Sequence, residues 1–565
     1  MASYLFDDLV LPRKFLRMCR RNLRRTKIVE SSGSELTGGA LLTATLALRR
    51  LLRREVLDSG ETHVGILLPP SVASVLSNAA LTLDRRVPVN LNYTVTSEVV
   101  NSSMSQCGIR HVLTSRRMLD RFPLKLDAEL IYVEDLKGRM TWSDKLLAAT
   151  AAWLLPAAVL ERLLGITAVR PDDVATIMFT SGSTGLPKGV MLTYANIGAN
   201  LKGIDSVIQL RRSDALLGVL PIFHSFGYTV TLWTVLTLDP KGVYHYTPLE
   251  PRQIGALCRR HGCTVLVATP TFLRAYLRRC QPDDLRSLDV VFAGAERLPP
   301  ELADAFQERF GVLPVEGYGA TELSPVVSGN RPPSRHPHAG TRQAGPPSVS
   351  RPATRVPRPE QPARTPGTSG NRIGTVGPPM PGIDVKVIDV DTGEDLPRGR
   401  QGMLLVRGPS VMKGYLNRPD LTAEVMRGEW YVTGDLATLD EDNYISITGR
   451  ISRFSKIGGE MVPHLRVEAA VREVLSAGAQ EVQLAVTAVC DPTRGERLVV
   501  LHTGLGLPAA EICRRMVAHG LPPLWIPSPD SFRQVASIPQ LGTGKLDMSR
   551  LKEMAVSEFG NADQA

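Results

Sequence analysis

At 565 residues the chain is longer than one ordinary core requires, and its 43% apolar and 22% charged content excludes a mainly disordered protein. A net charge of +10 does not imply a nucleic-acid partner, because residues 1–27 carry +6 and residues 331–372 carry +7, leaving the rest at −3. Cys19, Cys107, Cys258, Cys263, Cys280, Cys490 and Cys513 form no C-x-x-C pair, and no run of eighteen apolar residues occurs; both argue against zinc, a disulfide framework, secretion or a transmembrane helix, and for a reducing cytoplasmic setting.

Residues 13–25 have the pattern of a basic amphipathic helix, with Phe15, Leu16, Cys19 and Leu23 on one side and Arg17, Arg20, Arg21, Arg24 and Arg25 largely on the other. This N-terminal segment, 1–27, reads two ways: as a helix lying peripherally on an anionic membrane, or as one packing its stripe on the large domain. From residue 28 to 143, short apolar runs such as 64–68 and 111–113 alternate with helical patterns such as 41–52, which predicts α/β layers. The apolar stretch 146–160 is too short to span a bilayer and is interrupted by Pro156. With Trp153 in it, the stretch is either a shallow membrane-binding element or a buried helical hairpin.

A buried strand is expected over 174–179, followed by Thr180-Ser181-Gly182-Ser183-Thr184-Gly185-Leu186-Pro187-Lys188-Gly189. Glycines let backbone N–H groups approach an anion, the hydroxyls donate to phosphate oxygens, and Lys188 adds positive charge. A Walker A loop is excluded, because Pro187 stands where its second glycine is required. The segment resembles the nucleotide loop of acyl-adenylate-forming (AMP-binding) enzymes, which include acyl-CoA synthetases, luciferases and peptide-synthetase adenylation domains.

Further segments carry the same resemblance in the same order. Phe223-His224-Ser225-Phe226-Gly227 is similar to the acyl-pocket motif, which implies His224 at the mouth of a cavity continued by residues such as Trp233. Gly294-Ala295-Glu296 follows the apolar run 290–292 and resembles the adenine segment. In Gly317-Tyr318-Gly319-Ala320-Thr321-Glu322 the resemblance puts Tyr318 near adenine and makes Glu322, helped by Thr184, the Mg²⁺ ligand of an ATP site. Asp435 in the 431–435 motif would accept from the ribose hydroxyls, and Arg450 would lie near ribose and phosphate. Ser452 stands where the family usually has a hinge Asp or Lys. Lys545, in a glycine-flanked tip, would contact the carboxylate and α-phosphate during adenylation.

Residues 331–372 hold ten prolines and cannot bury enough apolar surface to order themselves, so they are expected to be a disordered insert. A β-rich subdomain is expected beyond it. The expected fold is α/β: a large AMP-binding domain over 28–448 built of several subdomains, a hinge at 449–452, and a small mobile α+β lid over 453–565. The lid most resembles the ligase half of bifunctional acyl-ACP synthetase/2-acylglycerophosphoethanolamine acyltransferases, on the stretches 453–463 and 524–527 and at Lys545. No histidine is followed five residues later by Asp, so the H-x-x-x-x-D pair of the acyltransferase half is missing. The resemblance implies activation of a fatty acid with ATP and Mg²⁺, then transfer to the phosphopantetheine thiol of acyl carrier protein past Gly458, Gly459 and Glu460. CoA is the alternative acceptor, and a membrane-associated scaffold is the non-enzymatic alternative.

Overall fold

A computed structural model describes residues 9–180, 187–335, 370–450, 453–457, 460–475, 482–491, 495–519, 521–540 and 546–559. The described chain opens with α1 (Leu11–Arg21), which buries Leu11, Phe15, Leu16 and Cys19 in the main hydrophobic cluster. Its basic face is engaged as well: Arg17 pairs with Glu161 at 2.9 Å, Arg21 with Asp239 at 3.3 Å, and Arg20 Nη1 donates to the Ala152 carbonyl. Residues 9–27 are therefore not an appendage. The helix also stops at Arg21, not 25, because strand Thr26–Glu30 follows and pairs in parallel with Lys241–Tyr244, so the boundary expected at 27/28 falls inside a sheet.

Helix α2 (Gly38–Glu55) packs on α3 (Trp142–Leu154), and α4 (Ala157–Leu163) follows a break at Pro156. The stretch 146–160 is thus a helical hairpin, as one of its two readings required, but a half-buried one. Ala148, Ala152 and Leu160 are buried while Leu146, Leu147, Trp153 and Leu154 face water. The α3 N-terminus is fixed by a reciprocal cap between Thr141 and Asp144, and Asp144 also accepts from Arg50 and Arg54 of α2.

Two sheets with parallel cores follow from the alternating pattern. One has four parallel strands in the order Val87–Asn90, His63–Leu67, His111–Thr114, Glu129–Tyr132. The other has eight strands, with Val315–Gly319, Val290–Ala293, Val265–Ala268, Ala215–Gly218, Lys241–Tyr244 and Thr26–Glu30 running parallel and an antiparallel strand at each edge. Inner strands such as Val265–Ala268 and Val290–Ala293 are continuous apolar runs, as a parallel sheet covered on both faces requires. A third sheet joins β1 (Val174–Thr180), β2 (Lys188–Thr193) and the two-residue β3 (Gly414–Tyr415). The expected β-rich subdomain is a five-stranded antiparallel sheet that includes Asp384–Ile388, Gly402–Arg407, β4 (Trp430–Leu439) and β5 (Ile445–Arg450).

The insert expected over 331–372 is narrower than that at both ends. Arg335 is 1% exposed and forms ion pairs with Asp214 (3.0 Å) and Asp289 (2.8 Å). On the far side Arg372 pairs with Asp440 and Asp442 and lies over the Tyr444 ring. The Arg331 amide donates to the Gly370 carbonyl at 2.9 Å, so the two flanks are stitched together. Composition was a poor guide at these ends, where a single buried charge with two carboxylates outweighs the lack of apolar side chains. Residues 336–369 lie outside the described residues.

The C-terminal lobe has its own cores. Strands Leu484–Asp491, Gly495–His502 and Phe532–Gln534 form one sheet, with helices His464–Leu475 and Ala509–Ala518 on one apolar cluster and Met548–Phe559 on another. Ahead of them, Phe454–Ile457 and Glu460–Pro463 pair as a hairpin.

Candidate active site

The parallel strands of the large sheet deliver their C-terminal ends to one crevice. Val290–Ala293 runs into Gly294, Val315–Gly319 into Glu322, and Ala215–Gly218 into the 223–227 segment. Ligands in open α/β sheets bind at such ends. The motif segments that are distant in sequence meet here. The Ser225 hydroxyl donates to Thr321 Oγ1 at 3.3 Å, and Gly294 lies under the Phe226 ring, where a Cβ would come within 2.9 Å of Cζ.

Tyr318 donates its hydroxyl to Asp435 Oδ2, and Arg450 Nε lies 3.3 Å from Asp435 Oδ1. The register explains the second contact, because Asp435 on β4 faces Arg450 on β5 directly. Burial and the neighbouring Asp435 push the Tyr318 pKa well up, so its phenol remains a donor, and Asp435 holds the Arg450 guanidinium above its ordinary value. Gly434 reaches φ +75°, a left-handed conformation that favours glycine, and the Asp435 amide then donates to Thr433 Oγ1 at 3.0 Å; this turn aims the carboxylate.

The second cluster is centred on a residue that the sequence reading missed. Tyr415 donates to Glu322 Oε1 at 2.8 Å, and its ring lies 5.4 Å below Lys188 Nζ. It reaches that position because β3 pairs with β2, placing Tyr415 opposite Val190. No local pattern announces a two-residue strand whose partner is more than 220 residues away. On the opposite side of β2, Lys188 faces Thr180 across the β1–β2 pair, so the first and ninth residues of the phosphate-loop motif stand opposite each other on neighbouring strands. Gly319 is needed for close approach, since a Cβ there would lie 2.0 Å from the Pro325 carbonyl oxygen.

Other expected residues have different surroundings. Glu296 Oε2 accepts from the Thr271 hydroxyl at 2.7 Å, so this carboxylate is tied to the start of the helix Pro270–Arg279. Ala295 is exposed at φ +72°. The His224 ring lies 4.3 Å from Phe223, itself edge-on to Tyr93 at 4.7 Å. Trp233, expected to line a cavity, is 1% exposed and packs edge-on against Tyr228 in the core. Ser181, Gly182, Ser183, Thr184, Gly185, Ser452, Gly458, Gly459 and Lys545 lie outside the described residues, and Glu460 is described only as the first residue of its strand.

The residues present fit a hard cation shared with a ligand. Among the described residues no group of three or more His, Cys, Asp or Glu is placed to hold a metal alone. The Glu322 carboxylate, which shares Tyr415 with Lys188, is a hard oxygen donor of the kind that Mg²⁺ takes together with phosphate oxygens and water.

A crevice at strand ends, with an aromatic hydroxyl, a carboxylate and an arginine on one side and a lysine and second carboxylate on the other, defines a nucleotide-using α/β enzyme. The family model of AMP-binding enzymes matches residues 15–416, and the chain belongs to that family. A long-chain-fatty-acid–CoA ligase of Bacillus subtilis is 27% identical over 558 residues, covering 92% of this chain and 90% of that ligase. Among solved structures, ATP-bound MatB from Rhodopseudomonas palustris matches with a TM-score of 0.75 at 23% identity, over 96% of this chain and 98% of that one. MenE from Bacillus subtilis, in complex with ATP and magnesium ion, matches at 0.73 and 20% identity, over 96% and 99%. The fold is accordingly that of the adenylate-forming enzymes, a large N-terminal domain and a smaller C-terminal one, and the reaction class is AMP-forming activation of an acyl group.

Proposed function

We propose that the chain activates a fatty acid with ATP and Mg²⁺ and transfers it to the phosphopantetheine thiol of acyl carrier protein. The observation that carries the adenylation half is the convergence at one crevice of Tyr318, Asp435 and Arg450 with Lys188, Tyr415 and Glu322. In this reading a carboxylate oxygen of the fatty acid attacks the α-phosphorus, the bond to pyrophosphate breaks, and acyl-AMP remains. Asp435 accepts from the ribose hydroxyls through its remaining lone pairs, and Arg450 stays within reach of ribose and phosphate. Tyr318, Gly319, Ala320, Gly294, Ala295 and Glu296 border the adenine. Lys188 and the hydroxyls and amides of 180–185 hold the phosphates. Bound at Glu322 and Thr184, Mg²⁺ would neutralise phosphate charge in the transition state. Lys545 supplies a further positive charge at the α-phosphate, and His224 stands at the entrance for the acyl chain.

The lid, 453–565, then turns about 449–452 and brings Gly458, Gly459 and Glu460 to the acyl-AMP. There the thiol sulfur attacks the carbonyl carbon and AMP leaves. The resemblance of the lid to acyl-ACP synthetases supports carrier protein as acceptor. CoA is retained as the second reading, because the Bacillus subtilis relative is a CoA ligase. Pyrophosphate release from ATP across a panel of fatty acids tests the first half-reaction. Lys545→Ala should slow acyl-AMP formation by roughly 10²-fold while leaving thioester formation from supplied acyl-AMP intact. A chain that releases no pyrophosphate with any fatty acid refutes the proposal and leaves the scaffold reading.

A further inference from the structure

Helix α3 is amphipathic in the inverted sense. Its inner face is small or polar: Ala148 and Ala152 let it approach α2 closely, Asp144 takes hydrogen bonds from Arg50 and Arg54, and Arg20 caps the Ala152 carbonyl. Its outer face is apolar. Trp142 is 75% exposed, Leu154 72%, and Leu146 and Leu147 about half, and on α4 Leu163 is 69% exposed. Contiguous apolar surface of this kind marks an interaction site.

The surround specifies the partner. Helices α1 to α4 together hold eleven Lys and Arg against three acidic residues, Glu55, Asp144 and Glu161. Each of those three acids is already engaged by arginine. Arg50 and Arg53 remain about half exposed, and Lys145 and Arg162 are exposed beside the patch with no ion pair among the described residues. A half-buried hairpin with the exposed Trp142 at one end of its longer helix and lysine and arginine at its margins suits the headgroup depth of a bilayer. No helix of the described residues is long and apolar enough to cross a membrane, so the hairpin would lie in the interface.

We propose that the outer face of the α3–α4 hairpin docks the enzyme on an anionic phospholipid surface, with Trp142, Leu146, Leu147 and Leu154 entering the headgroup layer and the surrounding basic residues meeting lipid phosphates. The docking stands apart from the adenylation reading, since lipid binding is measured without turnover. The full chain is floated with vesicles of phosphatidylcholine alone and of phosphatidylcholine with phosphatidylglycerol. Binding is expected on the anionic vesicles and should weaken as salt rises past about 0.1 M, where the screening length is about 10 Å. Lys145→Glu with Arg162→Glu should weaken it by about tenfold or more. Leu146→Ser, Leu147→Ser and Leu154→Ser together should abolish it with the thermal unfolding of the chain unchanged, because all three side chains already face water. Absence of flotation at low salt overturns the proposal, as does a triple serine variant that floats as well as the parent. A parent dimer that the triple variant converts to monomer, with flotation unaltered, would reassign the patch to self-association.

Discussion

Tyr415 couples two groups that the sequence presents separately, the lysine of the phosphate loop and the carboxylate of the 317–322 motif. If its hydroxyl orients Glu322, Tyr415→Phe keeps the ring under Lys188 but leaves that carboxylate without its 2.8 Å donor. A hydrogen bond to a charged group contributes about 1.5–3 kcal/mol, so pyrophosphate release should fall by about tenfold or more, while Tyr415→Leu, which also removes the ring, should fall further. Equal rates for parent and Phe variant would show that the contact is incidental. At this scale the sequence exposed the residues whose roles need a motif around them: Tyr318, Glu322, Asp435 and Arg450 are all in or beside the crevice. It hid Tyr415, whose place depends on pairing between distant strands, and it misjudged Trp233, because an apolar side chain near a pocket motif reads the same whether it lines a cavity or fills the core.

Elements carry two further consequences. The flanks of the insert are held by Arg335 and Arg372 and stitched by the Arg331–Gly370 hydrogen bond, so replacing 336–369 with a short Gly/Ser connection should leave adenylation and thermal stability close to the parent. By contrast Arg335→Ala leaves the buried Asp214 carboxylate with hydrogen bonds from the Arg211 amide and Thr264 but without its compensating charge, and should cost up to about 3–5 kcal/mol in urea unfolding of the large domain. Loss of activity on loop replacement, or an innocuous Arg335→Ala, would contradict this division. In the C-terminal lobe, His464 is buried with Nε2 2.7 Å from Ser455 Oγ, and burial, with Arg453 nearby, lowers its pKa to about 3. The unfolded lobe, with an ordinary histidine near 6.5, takes up its proton first. The stability contributed by the neutral ring is therefore full above about pH 6.5 and is lost as pH falls toward about 3. Urea titrations of the lobe from about pH 7 to about pH 4.5 should show declining stability in the parent and a flatter profile in His464→Asn. The α+β character of this lobe was legible in the sequence, whereas the burial of His464 and, in the large domain, of Arg335 was not: Arg335 is held by Asp214 and Asp289, more than forty residues away, and His464 meets Ser455 only because the 454–463 hairpin folds back on itself.

For the molecule as a whole, the layered α/β design was readable because parallel strands appear as short apolar runs between helical patterns, and the acceptor was the part least readable because it depends on a surface. Among the basic residues that flank the 458–460 loop in sequence, Arg453, Arg466 and Arg472 are not equivalent once folded. Arg453 is spent on Glu468, which is buried and also accepts from the Val486 amide, so removing it would damage the lobe rather than a docking face. Arg466 is exposed, and Arg472, 54% exposed, reaches Glu468 only at 3.8 Å while donating to the Leu484 carbonyl. An acidic carrier protein steered by these two arginines should meet the enzyme more slowly as ionic strength rises, because charges farther apart than about 8–10 Å are screened at physiological salt. Transfer to holo-carrier protein should then decline steeply with salt while pyrophosphate release with ATP and fatty acid barely changes. Arg466→Glu with Arg472→Glu should raise the apparent KM for carrier protein by about tenfold and leave the KM for ATP alone, since the lost steering acts on encounter. If instead holo-carrier protein proves inert and CoA is acylated at a rate indifferent to both substitutions, the thiol comes from CoA, and the assignments of Glu322, Asp435, Arg450 and Lys188 stand unchanged, because they concern only the first half-reaction.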